Sequence, residues 1–92
     1  MTLIRPVALT ASDQLVFTGQ TAYYGICVRE TAGAVAQVRV YDNTSATGTL
    51  VDVVALAANG SATIMHPHGL RCFIGVYVDI VAGTVEGSIR MG

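Results

Sequence analysis

The sequence predicts an all-β chain, a β-sandwich of jelly-roll-like form with about eight short antiparallel strands. Three observations carry that expectation. Alternating or apolar runs of strand length recur along the 92 residues. Turn formers separate them, at Gly19, Ala32-Gly33, residues 42–48, Asn59-Gly60 and Ala82-Gly83. No segment keeps a helical period over about ten residues.

The elements follow in chain order. Residues 1–12 read as an extended N-terminal arm or edge segment, because Pro6 removes a ladder donor and alternation is weak. Residues 13–92 then make one domain, as the length allows. Residues 13–18 form a short strand ending at Gly19. Residues 22–30 form a better one, whose alternation puts Tyr24, Ile26 and Val28 on one face and Tyr23, Cys27 and Arg29 on the other. Residues 34–42 follow, with Ala36, Val38 and Val40 opposed to Gln37, Arg39 and Tyr41. If these two runs pair as a hairpin, a loop of residues 32–34 sets Val28 beside Val38 and Ile26 beside Val40, apolar on apolar. Gly33 supplies the positive φ of such a turn.

Residues 42–48, DNTSATG, make a loop. Residues 50–56 are apolar on both faces except Asp52, as in a strand covered on both sides. Asn59-Gly60 turns the chain into residues 61–65. HPHG, residues 66–69, reads as another connection, followed by a short strand at 70–72. In residues 73–82, Ile74, Val76, Val78 and Ile80 share a face. A tight turn at Ala82-Gly83 pairs Ile80 with Val85 and Val76 with Ile89, so the last hairpin closes on residues 84–91.

Composition points to assembly. Hydrophobic residues make up 52% of the chain and charged residues 12%, about half the usual ~25%. A small domain has a large surface to solvate. Neighbouring copies or another protein are expected to cover part of this one. The apolar runs fall far short of the ~18 residues of a spanning helix, so no membrane partner is expected. The N-terminus has no long apolar core of a secretory leader, which places synthesis in a cytoplasm. Net charge is −1 and the five Arg are scattered, so no nucleic-acid partner is expected. With no secretory leader, a bridge between Cys27 and Cys72 is disfavoured.

No catalytic or metal-binding set stands out, and the chain reads as no enzyme. His66 and His68 are the only candidate bases; they flank Pro67 without a nucleophile setting. His-x-His offers two metal ligands where zinc wants three or four, so no metal or other cofactor is expected. The carboxylates Asp13, Glu30, Asp42, Asp52, Asp79 and Glu86 are isolated in sequence. Asp42 suits turn capping, and Glu30 and Glu86 suit surface pairing with Arg on neighbouring strands. Tyr23, Tyr24 and Tyr41 are placed to cluster on the first hairpin as a sugar platform, although the lack of Trp weighs against that use.

Residues 29–48, RETAGAVAQVRVYDNTSATG, and residues 81–90, VAGTVEGSIR, resemble small structural proteins of tailed bacteriophages. The resemblance spans roughly Gly19 to Met91 and is one of pattern and phrase. It implies a virion structural protein, foremost a capsid decoration or cement protein on the capsid surface, made in the host bacterial cytoplasm. Its implied partners are the major capsid protein or other virion proteins, and its own copies, with a trimer favoured. The alternative is a tail- or head-fibre module that binds a host glycan or other ligand. The resemblance brings no catalytic or interface residue with it.

Overall fold

The computed structural model describes residues 3–92. These form eight strands and no helix: β1 (Arg5–Ala8), β2 (Gln14–Thr18), β3 (Thr21–Glu30), β4 (Ala36–Asp42), β5 (Thr49–Leu56), β6 (Ser61–Cys72), β7 (Gly75–Ala82) and β8 (Val85–Met91). Two antiparallel sheets of four strands pack on one another, in the orders β1-β8-β3-β6 and β2-β7-β4-β5, here called sheets A and B. β1 pairs with β8, β2 with β7, β3 with β6 and β4 with β5. That is one long antiparallel ribbon rolled on itself, the jelly-roll arrangement, and the β3–β8 and β4–β7 ladders close the roll.

Rolling sends successive strands to opposite sheets, with β4 and β5 the exception. Both predicted hairpins are therefore corrected. β3 and β4 do not pair, and neither do β7 and β8. Val28 and Val38 share the core from opposite sheets, as do Val76 and Ile89. Apolar faces can meet side by side or across a sandwich, and alternation is satisfied equally by both.

The core holds Ile26 and Val28 of β3, Val38 and Val40 of β4, Val76 and Val78 of β7, and Ile89 of β8, all essentially inaccessible. Of the face expected for residues 73–82, Val76 and Val78 are buried and Ile80 packs against them, but Ile74 is exposed and precedes the strand. In β3 the register shifts between Tyr23 and Gly25, and Gly25 has φ of 134°. This bulge reverses the alternation before Ile26. Tyr23, expected on the face of Cys27 and Arg29, joins Ile26 and Val28 in the core instead.

HPHG is also corrected. β6 runs unbroken from Ser61 to Cys72 along the edge of sheet A, and residues 66–69 lie within it. Its register against β3 jumps from Met65↔Gly25 to Leu70↔Tyr23, so four residues pass around Tyr24. Pro67 is tolerated because the strand is an edge. Gly69 has φ of 77°, and a Cβ there would press on the Tyr24 ring. β5 is an edge strand too, with Leu50 and Val53 exposed, and is not covered on both sides.

Two carboxylates organise the turns. Glu30, expected at the surface beside an Arg, is 1% exposed. It accepts backbone N–H bonds from Ala32, Gly33, Ala34 and Asn59 at 2.7–3.1 Å, tying the β3–β4 connection to the β5–β6 turn. Asn59 heads the causes that hold its carboxyl below the usual range, and with the amides of Ala32, Gly33 and Ala34 it outweighs burial's opposing push. Asp42 accepts from Phe73, Ile74 and Gly75, capping the β6–β7 turn. Burial pushes its carboxyl up, but these three donors prevail and hold it low.

Candidate functional site

Asp52 is the one charge in β5, and alternation turns it inward. A buried carboxylate needs donors. Its Oδ2 accepts the Tyr23 hydroxyl at 2.7 Å and lies 3.0 Å from His66 Nε2. A carboxylate accepts only, so the imidazole carries its proton on Nε2. The Tyr23 and His66 rings sit 5.6 Å apart and tilted at 49°. β6 supplies His66, β3 supplies Tyr23 and β5 supplies Asp52, so the cluster fastens the edge of sheet B to sheet A. Burial, then the bond to Asp52 and its charge, push the Tyr23 phenol far above its ordinary value. It stays a neutral donor at any working pH. The arrangement is a clasp between sheets.

In the sequence Asp52 is an isolated carboxylate and His66 stands in an expected loop, so the clasp is not legible there as a set. A signal was present: a lone acid in an apolar strand must find a partner. His68 does not join it and is exposed. With Gln20, Thr21 and Arg71 it lines a shallow cleft beside the residue 66–69 excursion. No group of three or more His, Cys, Asp or Glu among the described residues is placed to hold a metal. Cys27 and Cys72 are both free, the first half-buried and the second buried. Burial, with the charge of Asp42, pushes the Cys72 thiol up to about 11.

The expected tyrosine cluster does not form. Tyr23 is in the core and Tyr24 lies on β3 in sheet A, whereas Tyr41 lies on β4 in sheet B.

The outer face of sheet A is mostly polar, with Met65 exposed beside Gly25 and Arg90. On sheet A, cross-strand rows read Thr63–Cys27–Ser88 and Ser61–Arg29–Glu86. Both are polar, and Arg29 donates to Glu86 at 2.6 Å, the surface pairing expected of Glu86. On sheet B, one row crosses all four strands as Leu15–Tyr77–Tyr41–Leu50. It is apolar from edge to edge. Leu15 is 47% exposed and Leu50 42%, while Tyr41 between them is only 8% exposed although it lies outside the core cluster. The next row is Asp79–Arg39–Val53. Arg39 Nε there, like Arg90 Nη1 of sheet A, is buried with no hydrogen-bond partner among the described residues. Tyr and Arg set among aliphatic side chains are the composition of protein–protein contact centres. The outer face of sheet B is thus the candidate functional surface.

No family model, curated protein or solved structure matches the chain.

Proposed function

We propose that this chain is a structural protein of a bacteriophage virion, a capsid decoration protein that stabilises the head by burying apolar surface against capsid subunits and its own copies. The observation that carries the reading is the Leu15–Tyr77–Tyr41–Leu50 row on the outer face of sheet B. A monomer gains nothing from half-exposed leucines at both ends of such a row. The low charge content and the sequence resemblance to small phage structural proteins point the same way. The jelly roll adds support by fold-level analogy alone, since that fold serves capsid and lectin domains alike.

The mechanism is additive burial. Covering a half-exposed leucine such as Leu15 or Leu50 gives on the order of 1 kcal/mol. Each contact is modest, and repetition over a shell multiplies it. Such a protein acts at the capsid surface, after synthesis in the bacterial cytoplasm, without catalysing a reaction.

The test is co-sedimentation of purified chain with virions from the phage that encodes it. Wild type should pellet with particles, and Leu15→Asp, at an exposed position, should stay in the supernatant with its circular dichroism intact. Virions that lack the chain, or that retain Leu15→Asp as well as wild type, would overturn the proposal.

A further inference from the structure

The roll leaves four strand edges unpaired: β1 and β6 in sheet A, β2 and β5 in sheet B. An open edge is a row of unpaired backbone donors and acceptors, and proteins that stay apart blunt it. Three of these edges are blunted. β1 is four residues long and contains Pro6, which has no donor. β2 is five residues long and shifts register between Leu15 and Phe17. β6 contains Pro67 and the four-residue excursion around Tyr24.

β5 is the exception. It has eight residues and no proline; a bulge at Val51 precedes Asp52–Leu56, which runs in straight register along β4 and is the longest uninterrupted stretch on a proline-free edge. Its only charge, Asp52, is turned inward and held by Tyr23 and His66. The outward side chains Val53 and Ala55 are uncharged and exposed. The whole chain has no lysine to guard the edge.

We propose that β5 pairs antiparallel with β5 of a second copy across a two-fold axis, joining two four-stranded B sheets into one continuous sheet. The occupant follows from self-complementarity. A two-fold antiparallel pairing sets the central residue of the strand opposite its own copy, so an outward charge at the centre would meet its like. The centre of β5 has none. A two-fold keeps outer face beside outer face, so the apolar rows of both copies lie on the same side of the joined sheet. The inference rests on the self-association in the proposed function and names its interface. It makes the basic unit a dimer in place of the trimer expected from sequence.

The experiment is sedimentation velocity on the full chain across a wide concentration range, with backbone amide exchange on the same samples. Wild type should have twice the chain mass. Edge-facing amides of β5 should exchange at least tenfold more slowly in concentrated than in dilute solution, with no such change in β1, β2 or β6. Val53→Lys, at an exposed position, should halve the mass and leave the circular dichroism unchanged, while Val53→Thr should remain a dimer. A single-chain mass at every concentration overturns the pairing. So does a dimer that survives Val53→Lys, or an oligomer whose β5 edge amides exchange freely. If Val53→Lys fails to fold, the wild-type exchange pattern decides alone. A single chain that still binds virions would overturn this pairing and leave the proposed function standing; a β5 dimer that ignores virions would do the reverse.

Discussion

Replacing Tyr23 with Phe removes one oxygen from the clasp and leaves the core volume in place. The lost bond joins a neutral phenol to the Asp52 carboxylate at 2.7 Å. Hydrogen bonds to charged groups contribute about 1.5–3 kcal/mol. The Asp52 side chain is 11% exposed, so little water can replace the hydroxyl. His66 remains as a donor, with its side chain 25% exposed. The expected loss is therefore in the lower half of that range, about 2 kcal/mol. For a domain of this size that lowers Tm by about 8–16 °C. Urea titration with circular dichroism gives the free energy directly, and an unchanged slope would show that the compactness of neither state has moved. His66→Ala should cost less, about 0.5–1 kcal/mol, because its ring is partly solvated. Asp52→Ala should cost at least as much as Tyr23→Phe, since it strands a phenol hydroxyl in the core. Because Tyr23 and His66 share Oδ2, the double variant should depart from additivity. If Tyr23→Phe falls within about 0.5 kcal/mol of wild type, the clasp does not hold the sheets and the reasoning fails.

Acid should destabilise the fold through Glu30 and Asp42. Both carboxyls are held below their ordinary values, so their stabilisation is complete above the unfolded carboxyl range of about 4 and disappears as pH falls through the folded values. Thermal midpoints followed from neutral pH to about pH 2 should fall, and Glu30→Gln should flatten that fall. Asp79 has the opposite sign: burial first, then the charge of Asp13, raise its carboxyl, so Asp79→Asn should raise Tm at neutral pH, with the gain fading in acid. Gly25→Ala and Gly87→Ala should each prevent or severely weaken folding, because a Cβ would collide with the carbonyl oxygen of Ile64 or Cys27 at positive φ; soluble yield and circular dichroism report it. A thiol reagent should modify Cys27 quickly in the native chain and Cys72 only on unfolding, as mass spectrometry would show by one adduct and then two.

The sequence by itself determined the class of the fold and much of the strand content. Alternation marked Ala36, Val38 and Val40 as the buried face of β4, and Asn59-Gly60 and residues 42–48 marked turns that exist, although Asp42 caps the distant β6–β7 turn and not its own loop. It also showed a chain too apolar for its size, which the outer face of sheet B makes concrete. Only the tertiary structure decided which strands are neighbours. A period of two reports which face of a strand is covered, and it is silent on whether the cover is an adjacent strand or the opposite sheet. In a rolled ribbon most partners lie far apart in the chain, as β1 and β8 do, so local hairpin logic misplaced β3 with β4 and β7 with β8. The bulge at Gly25 reversed Tyr23, and its one mark in the sequence was that glycine inside an otherwise alternating run. The clasp followed from both. Asp52, His66 and Tyr23 belong to three strands, and the roll brings their polar atoms within 3.0 Å because a charge turned into an apolar core must be met there by donors.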